Sequence, residues 1–112
     1  MMSIFEKIQL TERLYFEAER CYFQNDENTC ISKMVLLSSI QKEIIDYYEN
    51  IGDMDNNVKH SLRLASVLIQ LRMLLPGIDS TSQISNILFY VQAMGYDNLK
   101  PTINKLKSYL PK

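Results

Sequence analysis

Between Val58 and Leu75 the chain reads VKHSLRLASVLIQLRMLL, and no other run in it constrains the fold as tightly. Wound as a helix, Lys59, Arg63, Ser66 and Gln70 follow at intervals of four, three and four, so they fall on one narrow strip. Leu62, Leu64, Ala65, Val67, Leu68, Ile69, Leu71, Met73, Leu74 and Leu75 fill the rest of the circumference. A helix apolar on nearly every side must be covered by neighbours. At about 1.5–3 kcal/mol for each large side chain fully buried, it supplies a sizeable share of the hydrophobic term of a small domain. The spacing therefore predicts a central helix over 58–75.

Helix signals recur on both sides of it. Ser3 with Glu6 three residues on reads as a capping box that opens a helix over Ser3–Phe23, with Leu10-Thr11-Glu12 as an alternative second start. Its rings, Phe5, Tyr15, Phe16, Tyr22 and Phe23, are too widely distributed around the axis for one stripe. Gln24–Asn28 holds no apolar residue and reads as a loop. The next helix is the longest, with a seam of Cys30, Met34, Leu37, Ile40, Ile44, Tyr47 or Tyr48, and Ile51, and Gly52 stands where a left-handed residue ends it. Asp53–Asn57 reads as a second polar loop. Pro76-Gly77 breaks the chain after the central helix. Ser80 and Gln83 form another possible capping box before a shorter helix from Thr81 to Met94, stopped by Gly95. Asp97 is placed to cap a last helix in which Pro101 falls early and Leu99, Ile103, Leu106 and Leu110 align. No strand pattern and no internal repeat appears. The expectation is an all-α, single-domain antiparallel bundle of about five helices spanning residues 1–112.

Composition excludes several functions. An apolar fraction of 46%, a charged fraction of 22% and a net charge of −1 argue against a disordered chain and against a uniformly basic nucleic-acid binder. The balance hides an asymmetry: residues 1–57 carry eleven acids against five Lys or Arg, and residues 58–112 carry seven Lys or Arg against two acids. The halves are thus about −6 and +5, and packing them together within one chain is the expected cancellation. No apolar run approaches the roughly 20 residues that cross a bilayer, so no membrane span is expected. The early apolar run is interrupted by Glu6 and Lys7, and no Asn-X-Ser/Thr sequon occurs, which favours a cytoplasmic setting in which Cys21 and Cys30 stay free thiols.

Sites of chemistry fail on inventory. His60 is the only histidine, so neither paired Glu-X-X-His motifs nor His-Glu-X-X-His can be assembled, and it reads as a solvated residue in the first turn of the central helix. Cys21 and Cys30 lie in no nucleophile motif and read as small apolar side chains. Glu43, Asp46 and Glu49 share a helix face that reads as solvated charge rather than an acid–base pair. The three glycines fall at helix ends, and no phosphate-cradling loop exists. No catalytic, cofactor or metal residue is expected, and no enzyme activity.

Two features remain. Phe16, Phe23, Tyr48, Phe89, Tyr90 and Tyr96 fall off the main apolar stripes, where aromatic surplus marks protein interfaces. Lys100, Lys105, Lys107 and Lys112 cluster in a terminal helix without an acid after Asp97, suited to a phosphate backbone or to an acidic protein surface, although lysine also simply complements a helix carboxyl end. The expected function is a cytoplasmic helical protein-binding module, adaptor-, inhibitor- or chaperone-like, whose partner is another protein or a second copy of itself in a homodimer. A nucleic-acid-associated regulator using the terminal lysines is the alternative.

Overall fold

The computed structural model describes residues 2–77 and 79–111. Five helices follow one another: α1 Ile4–Phe23, α2 Glu27–Asn50, α3 Met54–Leu74, α4 Thr81–Ala93 and α5 Lys100–Lys107, the last entered through a 3-10 turn at Asp97–Leu99. Ser3 caps α1, its hydroxyl accepting from the Glu6 amide at 3.1 Å, and no break occurs at Leu10–Glu12. There the Thr11 hydroxyl folds back onto the Ile8 carbonyl at 2.6 Å, so its polarity is satisfied inside the helix.

The two turns that join α1, α2 and α3 use one device. Asn25 (φ 63) and Gly52 (φ 75) each occupy the left-handed region, which lets the following amides bend back: Asp26 N–H reaches the Cys21 carbonyl and Asp53 N–H the Tyr48 carbonyl, both at 2.9 Å. In each turn the same aspartate then caps the next helix, Asp26 accepting from Thr29 N–H and Asp53 from Asn56 N–H, both at 3.2 Å. Three-residue links of this kind make successive helices antiparallel, and the ion pairs Lys7–Glu43 and Glu17–Lys33 match that register between α1 and α2. Both loops are shorter than the sequence suggests. Asp53–Asn57 is not a loop: with Asp53 as cap, the central helix starts at Met54 rather than Val58 and ends at Leu74. Ser80 makes no capping hydrogen bond, and Asp79 instead accepts from the Thr81 amide at 2.9 Å.

α3 serves two cores. One face, with Val58, Leu62, Ala65 and Ile69, packs with Ile84, Leu88 and Val91 of α4 and Ile103 and Leu106 of α5. The other, through Val67 with Leu71 and Leu74, joins Leu14, Ala18, Cys21, Cys30, Met34, Leu37 and Ile44 of the α1–α2 hairpin. The molecule is a slab of 41 × 39 × 21 Å. α1, α3 and α5 lie on one side of it, with α2 behind the gap between α1 and α3, and α4 packed against both α3 and α5.

The central helix is therefore buried as its composition demands, except toward its end, where Met73 is 62% exposed. Leu68→Ala is expected to cost about 2–5 kcal/mol and Met73→Ala less than about 0.5 kcal/mol, measured by chemical denaturation.

Candidate functional site

Buried Gln41, Asn57 and His60 form a structural junction. His60 is 2% exposed, lies on the side of α3 that meets α2, and stacks on the Tyr48 ring at 5.4 Å between centroids. The amide of Gln41, itself buried, donates to His60 Nδ1 at 2.8 Å, which leaves the ring proton on Nε2. This corrects the reading of His60 as solvated: starting α3 four residues earlier moves it to the second turn, where α2 covers it. Burial, with Arg63 and Lys59 nearby, pulls its pKa down to about 4. One turn before it, buried Asn57 donates to the Ile45 carbonyl at 3.3 Å and accepts from the Tyr90 hydroxyl at 2.8 Å, tying α2, α3 and α4 together. Cys21 and Cys30 are buried free thiols, and burial pushes the Cys30 thiol up, away from nucleophilic character. Among the described residues no cluster of three His, Cys, Asp or Glu offers a metal site. No helix there is long and apolar enough to cross a membrane.

The six aromatic candidates divide. Tyr48 and Tyr96 are half-buried and packed against the two cores, Tyr48 on His60 and Tyr96 with its hydroxyl donating to Asp55. Tyr90 is 37% exposed but held by Asn57. Phe16, Phe23 and Phe89 are 68%, 73% and 74% exposed, Phe23 with its ring edge-on to that of Tyr22 at 5.7 Å between centroids. Phe89 stands alone on α4, which does not touch α1. Phe16 and Phe23 have a companion that the sequence reading passed over: Phe5, 74% exposed. Steps of eleven and seven residues each return to within about 20° of the same side of a helix, so the three rings share one strip. That strip is opposite the buried line Thr11, Leu14, Ala18 and Cys21.

Beside it runs a groove between α1 and α3. Its floor is Cys30, Met34, Leu37 and Gln41 of α2, its α1 wall carries Glu12, Tyr15, Glu19 and Tyr22, and its α3 wall is the strip Arg63, Ser66, Gln70 and Met73. The Tyr15 hydroxyl and the Gln70 side chain meet across it at 3.3–3.4 Å. The same α3 strip borders a second groove on its other side, shared with Thr102, Lys105 and Tyr109 of α5. The polar strip legible in the sequence is thus a ridge between two grooves.

The terminal lysines do not converge. Lys105 lines the α3–α5 groove, Lys107 donates to Gln92 of α4, and Lys100 pairs with Asp97 at 3.1 Å. Lys112 lies outside the described residues.

No family model, curated protein or solved structure matches the chain.

Because the folded-state pKa of His60 lies below the usual value of 6.5, the unfolded chain binds more protons between them. Stability is full above pH 6.5 and is lost as pH falls toward 4, by up to about 3 kcal/mol. As the chain has a single histidine, one NMR titration curve reads its pKa directly. Denaturation at pH 7 and pH 5 should show a drop that His60→Gln reduces.

Proposed function

We propose that this protein is a helical protein-binding module, adaptor-, inhibitor- or chaperone-like, that acts by contact through the outer face of α1 and performs no chemistry of its own. One observation carries the reading: Phe5, Phe16 and Phe23, each at least 68% exposed, sit on one strip of one helix while the core is filled without them. Phenylalanine left in water gives up the free energy of burying its ring, and a partner that covers three such rings recovers it at little side-chain entropy cost. A ridge of rings at helical spacing beside a groove suits a partner that meets it with an apolar surface of its own. The two free, buried thiols suit a cytoplasmic, reducing setting. The lysines of α5 support nucleic acid less well, since two of the three described ones are engaged by Asp97 and Gln92 and the third lies in a groove.

A photoreactive phenylalanine analogue at position 16, introduced in the native host, should yield a defined crosslinked protein, while the same analogue at exposed Ser39 of α2 should not. Phe5→Ser with Phe23→Ser should remove the product while changing stability by less than about 1 kcal/mol. Equal labelling from both positions, or labelling indifferent to the two substitutions, would falsify the reading.

A further inference from the structure

The groove between α3 and α5 continues past both of its ends. Leu62 and Arg63 line it and also a hollow at Asp55, Lys59, Tyr96 and Leu99, while Ile69, Met73 and Tyr109 line it and also a hollow at Arg72 and Pro76. The three join into one trough along α3, walled on the far side by the 3-10 turn and α5. From Lys59 to Met73 it follows the helix for about 21 Å at 1.5 Å per residue. Four cations stand along it: Lys59, Arg63 and Arg72 of α3 and Lys105 of α5. No Asp or Glu occurs from residue 56 to 78 or after Asp97, and Asp97 itself is paired with Lys100. The nearby acids stand outside or at the ends: Glu12 faces Arg63 over the first groove, Asp55 accepts from the Tyr96 hydroxyl, and Asp79 lies near Arg72. Among the described residues none of the four cations forms an ion pair. Lys59 and Arg63, one turn apart, repel each other, and an anion laid over them removes that repulsion.

The floor beneath these charges is apolar. Leu62, Ile69 and Leu106 form it, and Met73 and Tyr109, 62% and 45% exposed, leave apolar surface toward its far end. We infer that this trough is a second docking site, whose occupant is an acidic amphipathic helix of a partner protein, seated with its apolar face on the floor and its carboxylates toward Arg63 and Lys105. The cations select carboxylates, the floor selects an apolar stripe beside them, and a groove between two helices seats a third by ordinary ridge-into-groove packing. Nucleic acid fits it less well. A phosphate backbone has no apolar stripe to lay on the floor, and the rings on which bases could stack, Tyr96 and Tyr109, stand at opposite ends. The trough lies across the α3 ridge from the phenylalanine strip of α1, and its occupancy is independent of that strip.

The probe is a fluorescent synthetic peptide of about 18 residues, with leucines at helical spacing on one face and glutamates on both flanks, titrated with the full chain and read by anisotropy. Its binding should weaken about ten-fold or more when lysines replace the glutamates or serines replace the leucines, and should fall as salt is added. Arg63→Glu with Lys105→Glu should weaken it about ten-fold or more and reverse the preference, so that the lysine peptide binds better. The milder pair Arg63→Gln with Lys105→Gln should give a smaller loss in the same direction. Arg13→Glu with Lys42→Glu, an equal change of charge at exposed positions outside the trough, should leave binding within about two-fold. Circular dichroism and thermal midpoints establish that the variants fold.

A wild type that leaves the glutamate peptide free, that binds the lysine peptide equally well, or that loses as much through Arg13 and Lys42 as through Arg63 and Lys105 overturns the inference. DNA or RNA bound more tightly than the glutamate peptide, and lost in the Arg63 and Lys105 variants, gives the trough to nucleic acid and overturns it as well. So does a wild type that dimerises in light scattering and whose dimer those same variants abolish, since the occupant is then a second copy of the chain.

Discussion

Everything in this structure depends on covering α3. A helix apolar on two sides needs two covers, and the chain supplies them from opposite directions: the α1–α2 hairpin over Val67, Leu71 and Leu74, and α4 with α5 over Val58, Leu62, Ala65 and Ile69. Because the two covers do not share a core, the molecule spreads into a slab instead of closing around one centre. The strip that neither covers, Arg63, Ser66, Gln70 and Met73, is left as a ridge with a groove on each side. The same requirement that builds the core therefore builds the concave surface.

The polar groups inside are matched rather than excluded. Gln41 with His60, and Asn57 with Tyr90 and the Ile45 carbonyl, give each buried dipole a partner from another helix. Such pairs do not outweigh hydrophobic burial, but leaving one member unpaired costs about 1–3 kcal/mol, so they penalise helices that slide out of register. In a core of Leu, Ile and Val, where many registers bury similar area, that penalty picks one.

How much of this was legible in the sequence follows from how local each signal is. Five helices, their order, the left-handed Gly52 and the narrow strip on α3 come from periodicity and capping chemistry within a few residues. The start of α3 is not legible locally, because Asp53–Asn57 looks like a turn by composition. The partners that make Asn57 a buried helical residue lie twelve and thirty-three positions away. The burial of His60 is hidden for the same reason, its partner Gln41 being nineteen residues distant. Tyr48, Tyr90 and Tyr96 resemble surplus rings until their hydroxyls and faces find Asn57, Asp55 and His60. The Phe5, Phe16 and Phe23 strip was within reach of periodicity. Steps of eleven and seven escape a reading tuned to three and four.

Asp26 and Asp53 each close one helix and open the next within three residues. The direction of every new helix in the first half is therefore decided by residues already made when that helix begins. α1 packs on α2 and α2 on α3, with no backbone approach between α1 and α3. Contacts so close in sequence close only short loops, the condition under which domains assemble fastest. On a ribosome the hairpin of α1 and α2 has its own partner helix before α4 is synthesised, so the order of translation is also an order of assembly, in which α3 arrives with one of its two covers already waiting.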